Sequence, residues 1–62
     1  MNYSQYLFSQ LLCLIDQDFA ELPYDIQFAE AIVRYQDFEQ SSYNVDILSE
    51  YDCITNYLNN KK

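Results

Sequence analysis

The chain contains no glycine and a single proline, Pro23. Without glycine, the tight two-residue turns of β-hairpins lose the residue that best tolerates positive φ. With one proline, few positions impose a hard stop on a helix. Both facts favour helices joined by short polar loops. The alternative is a strand near residues 31–35 or 43–47, but β-branched residues there are few and an isolated hairpin is only marginally stable.

A chain of 62 residues accommodates one domain, residues 1–62. It buries only about 60% of the surface exposed on unfolding, so chains of this size usually carry a staple. Two cysteines and no histidine give little scope for disulfides or a metal. Seven tyrosines and four phenylalanines point instead to aromatic packing, to self-association, or to both. Apolar residues make up 50% of the chain, which separates it from disordered sequences.

Apolar spacing predicts three helices, at about 4–18, 23–38 and 44–58. In the first, Tyr3, Leu7, Leu11, Leu14 and Ile15 form the strongest face, and Phe8, Leu12 and Phe19 widen it past half the circumference. A helix apolar nearly all round belongs in the middle of something. Pro23 suits the first turn of the second helix, with Glu21 and Asp25 at its positive dipole end. Tyr24, Phe28, Ala31, Ile32 and Tyr35 form its expected core face. Gln27, Glu30, Arg34 and Asp37 form its solvent face, where Glu30 and Arg34 stand at the favourable i, i+4 spacing. Ile26, Ala29 and Val33 form a second apolar strip, the candidate dimer interface. Ser42 or Asn44 is the expected N-cap of the third helix, whose core face reads Ile47, Tyr51, Ile54, Leu58. The expected fold is thus all-α: a small three-helix bundle, with homodimerisation as a means of completing it.

The charge balance is the most unusual feature. Ten acidic residues face three basic ones, giving −7. Two of the three are Lys61 and Lys62, so residues 1–60 set ten acids against Arg34 alone, a side-chain sum of −9. Such a surface repels nucleic acid and anionic membranes and attracts basic protein faces. The charge also serves simply to keep a small aromatic protein soluble. The apolar run from Tyr6 to Ile15 lacks a preceding Lys or Arg and is broken by Ser9 and Gln10, unlike a secretory signal. The expected location is cytoplasmic (the host cytoplasm for a viral chain), with Cys13 and Cys53 as reduced thiols.

Most catalytic chemistries lack their parts. No histidine provides a base near neutral pH. The absence of glycine removes phosphate-binding and dinucleotide-binding loops. Cys13 and Cys53 are neither in CxxC spacing nor accompanied by histidine, which argues against a thiol enzyme or a zinc site. Asp16-x-Asp18 opens like a calcium loop, but Glu21 stands where that loop needs glycine and Gln27 where it needs glutamate. We therefore expect no enzyme, no metal and no cofactor.

Three functions remain open. The first is a small acidic modulator or inhibitor that docks on a basic surface of a nucleic-acid-handling protein, its carboxylates standing where phosphates would. A short, glycine-free, asparagine- and tyrosine-rich acidic chain of this kind suits a phage or mobile element. Its expected contact residues are Glu30, Asp37, Glu39, Tyr43, Asp46, Glu50, Asp52 and Tyr57. Tyrosine is enriched at interface hot spots, although the same rings also serve to cap a small core. The second is a homodimeric helical adaptor joined through Ile26, Ala29 and Val33. The third is an antitoxin-like or anti-sigma-like regulator. Direct nucleic-acid binding lacks a basic reading surface, and no stretch is long enough to span a membrane.

Overall fold

The computed structural model describes residues 2–61, and among them the chain is all-helical, with no strand. Four helices follow in order: α1 (Tyr3–Ile15), α2 (Gln17–Ala20), α3 (Tyr24–Glu39) and α4 (Glu50–Asn60).

Helix α1 starts at a capping box. The Asn2 side chain accepts from the Gln5 backbone N–H at 2.8 Å, and the Gln5 side chain accepts from the Asn2 N–H at 3.1 Å. The helix ends three residues before the expected boundary, because Asp16 leaves helical geometry (φ −128°, ψ 97°). The Asp16 N–H still closes α1 onto the Leu12 carbonyl at 2.9 Å, while its carboxylate caps α2 by accepting from the Phe19 N–H at 3.2 Å. Aspartate competes for backbone donors in this way, which is why it favours caps over helix interiors. The break turns Phe19 into the core, where it is 1% exposed.

Pro23 sits one residue earlier than expected, as the N-cap of α3, and its carbonyl accepts from the Gln27 N–H at 2.8 Å. The largest difference concerns the last helix. It begins at Glu50, and neither Ser42 nor Asn44 is its cap. Asn44 donates its side-chain amide back to the Glu39 carbonyl, and Ser41 accepts from the Tyr43 N–H. These local bonds hold residues 41–44 in turns. Ser49 caps α4 instead, accepting from the Asp52 N–H at 3.2 Å, with Glu50 and Asp52 at the positive end of the dipole.

The core faces are turned relative to the expected ones. On α1, Phe8 and Leu12 are buried, Leu7 and Leu11 pack at the margin, and Tyr3, Leu14 and Ile15 are exposed. On α3, Ala31, Tyr35 and Phe38 are buried, whereas Tyr24 and Phe28 are exposed. On α4, Cys53, Ile54, Tyr57 and Leu58 are buried and Tyr51 stands in solvent, as does Ile47 in the loop before it. An apolar band wider than half a helix does not tell which part of it faces inward, and the tertiary partners choose.

The partners that choose are aromatic. Phe8 is fully buried, with its ring centroid 5.6 Å from Tyr35, 5.8 Å from Phe38 and 6.1 Å from Tyr57. Phe38 and Tyr57 meet edge-to-face at 5.3 Å, and Tyr43 of the loop meets Tyr57 at 6.2 Å. These are the separations at which rings gain about 0.5–1.5 kcal/mol per pair beyond area burial. One ring network thus joins α1, α3, the 40–49 loop and α4. The Cα radius of gyration is 11.0 Å, close to the ~10.6 Å expected for this length.

Candidate interaction surfaces

Two clusters of charge border a cleft on the molecule. The first centres on Arg34. Its guanidinium donates to Glu30 at 3.0 Å, the i, i+4 pair read from the sequence, and also to Asp16 at 3.3 Å. The Arg34 carbon lies 5.5 Å from the centre of the Phe19 ring. Arg34 therefore joins α3 to the α1–α2 junction rather than standing on a solvent face. The Phe19 N–H on the Asp16 carboxylate, together with Arg34, holds that group below the usual carboxylate range. Both carboxylates hold the Arg34 guanidinium in its charged form against the opposing effect of burial.

The second cluster centres on Asp37. The Tyr57 hydroxyl donates to the Asp37 carboxylate, and the Lys61 ammonium stands 3.6 Å from the same oxygen. The Tyr57 bond and the Lys61 charge hold Asp37 below the usual carboxylate range. Burial, and then Asp37 itself, push the Tyr57 phenol up to about 12. Lys61 also lies 5.5 Å from the Tyr57 ring centre.

Between the clusters lies a cleft of about 390 Å³ with an apolar floor that includes Phe8, Leu12, Ile15 and Leu58. Both described cations, Arg34 and Lys61, line it, each facing a carboxylate. A second, smaller groove of about 220 Å³ runs between α1 and the start of α3. Tyr6, Tyr24 and Phe28 line it with Ser9, Gln10 and Gln27, and among the described residues no charged side chain does.

The expected contact residues fall into unlike settings. Tyr57 is buried, its ring committed to the core, and Tyr43 is half-buried against it. Asp37 is joined to Tyr57, and Glu30 to Arg34. Glu39, Asp46, Glu50 and Asp52 are exposed and form no ion pair among the described residues. Ile26, Ala29 and Val33 are all exposed, so one side of α3 packs against nothing within this chain.

Sequence reasoning missed Asp16, Gln27 and Lys61 as structural nodes. Gln27, expected on the solvent face, instead donates its amide to the Phe19 and Ala20 carbonyls at 3.2 and 3.4 Å. Aspartate is itself a favoured N-cap residue, and that is the signal Asp16 carries. Cys53 is 3% exposed, and its thiol donates to the Val45 carbonyl at 3.3 Å. Both cysteines are free thiols.

Among the described residues, no helix is long and apolar enough to cross a membrane. No family model, curated protein or solved structure matches this chain.

Proposed function

We propose that the chain is a small acidic protein-binding modulator or inhibitor that docks on the basic surface of a nucleic-acid-handling protein. The observation that carries this reading is the state of the carboxylates. Seven of the ten, Asp18, Glu21, Asp25, Glu39, Asp46, Glu50 and Asp52, are exposed and lack an ion-pair partner among the described residues. Folding does not account for all of them. Glu50 and Asp52 suit the start of α4, but Glu39 stands at the C-terminal end of α3, where the dipole disfavours an anion and no base compensates it. An unneutralised acidic surface of this kind steers basic partners and speeds their association. On this reading the carboxylates occupy the positions of phosphates on the partner, and the chain is a phage- or mobile-element-type inhibitor acting in the cytoplasm.

The test is capture on immobilised protein from nuclease-treated lysate, followed by elution with salt or with excess duplex DNA. The reading expects a nucleic-acid-binding protein that DNA displaces and that high salt releases, since screening weakens exposed charge pairs. A partner that DNA leaves in place overturns the mimicry.

A second reading has its own observation, the bare Ile26–Ala29–Val33 strip. Here a second copy covers α3, and the chain is a homodimeric helical adaptor. Sedimentation at high concentration decides. This reading expects a dimer that Val33→Glu dissociates, and a strictly monomeric wild-type chain removes it.

A further inference from the structure

We propose that the α1–α3 groove seats an arginine side chain of the protein partner, with its guanidinium stacked on Tyr24 and Phe28. The inference deepens the docking reading above and rests on it.

The groove has the composition such a group needs. Tyr24 is 88% exposed, Tyr6 55% and Phe28 48%. Three large rings thus stand at one groove in a chain carrying −7. Ring faces are negative and attract cations. The polar atoms beside them are suited to accept hydrogen bonds. Gln27 spends its amide hydrogens on the Phe19 and Ala20 carbonyls, which pins the side chain and leaves its oxygen without a donor among the described residues. Among the described residues the tyrosine hydroxyls that hydrogen-bond are those of Tyr35 and Tyr57, not those of Tyr6 and Tyr24.

The chain already uses this chemistry internally. Both described cations lie over rings, Arg34 on Phe19 and Lys61 on Tyr57, each at 5.5 Å. Among the described residues, no cation lies over the groove rings, which are the exposed counterparts. The positive end of the α3 dipole lies close to Tyr24, but Asp25 in its first turn and Glu21 just before it offset that field.

Arginine fits better than lysine because the rings are largely exposed. A planar guanidinium stacks on an open ring, donates sideways to acceptors and sheds water more readily than an ammonium.

The test is an NMR titration with a short arginine-glycine peptide, alongside matched lysine and citrulline peptides. The expected result is saturable shifts of the Tyr6, Tyr24 and Phe28 ring signals and of the Gln27 side-chain amide. Arginine should act most strongly and citrulline not at all. Tyr24→Ala or Phe28→Ala should weaken binding by about three- to tenfold, and Tyr24→Phe should retain it, with circular dichroism confirming that each variant folds. If the arginine peptide shifts only backbone signals near Asp46, Glu50 and Asp52, the groove is overturned and the docking reading survives. If no signal moves anywhere, both fall.

Discussion

The Tyr57 hydroxyl donates to the Asp37 carboxylate from inside the core, joining α4 to α3 across the edge of the ring network. The ring is 5% exposed while Asp37 stands in solvent, so the bond spans the boundary between them. Tyr57→Phe keeps the ring and deletes the bond. We expect a loss of about 1 kcal/mol, a neutral-scale value chosen because solvent screens the exposed carboxylate. The Asp37 carboxyl should titrate closer to an ordinary aspartate. Urea denaturation and an NMR pH titration of Asp37 measure the two effects. An unchanged Asp37 titration would show that Lys61 alone holds it down.

Stability should fall at both ends of the pH scale. Asp16 and Asp37 titrate lower in the folded chain than in the unfolded one. Their contribution is therefore full above the ordinary aspartate value, about 3.9, and is lost as pH falls through the folded values. Tyr57 is raised to about 12. Its contribution is full below the ordinary phenol value near 10 and is lost as pH rises toward 12. Urea midpoints across pH should show an acid limb that Asp37→Asn flattens and an alkaline limb that Tyr57→Phe flattens. Tyrosinate absorbance of the wild-type chain should contain a component that ionises toward pH 12 and that Tyr57→Phe removes.

Phe8 and Leu14 lie on the same helix and separate the expected core from the observed one. Phe8→Ala removes the hub of the ring network and should cost about 3–5 kcal/mol. That approaches the whole stability of a chain this small, so the variant should lose its cooperative unfolding by circular dichroism. Leu14 is 81% exposed, and Leu14→Ala should change stability by no more than about 0.5 kcal/mol. Comparable losses from the two variants would mean that Leu14 is covered in solution.

The two thiols should react at different rates. Cys13 is half-buried, and burial pushes its thiol pKa up. Cys53 is nearly fully buried and bonded to the 40–49 loop. Mass spectrometry of the native protein with an alkylating reagent should find Cys13 modified slowly and Cys53 more slowly still. Ser49→Ala, which removes the α4 cap, should narrow the gap. Equal rates in the wild-type chain would show that the loop does not guard Cys53.

Some of this was legible locally. The absence of glycine and the 3.6-residue spacing gave an all-helical chain, and Glu30 with Arg34 gave the intrahelical ion pair. The exposure of Ile26, Ala29 and Val33 followed from their lying off the main face of their helix. The candidate contact surface was only partly legible. Exposed Glu39, Asp46, Glu50 and Asp52 are where polarity places them, but Tyr57 is a core residue. Its spacing beside Asp46, Glu50 and Asp52 gave no sign that Phe8 and Phe38 would enclose it.

The sequence by itself determined what depends on neighbours along the chain: helical state, approximate helix positions, acid excess, and the lack of residues for common catalytic sites. Only the tertiary structure decided the inward faces, the break at Asp16, the loop from 40 to 49, and the gathering of Arg34 and Lys61 at one cleft. The reason is that helical propensity and charge are sums over local residues, whereas burial is a competition among distant ones. On helices apolar around much of their surface, several rotations bury similar area. The one that brings Phe8, Tyr35, Phe38 and Tyr57 into contact gains ring packing that the others lack.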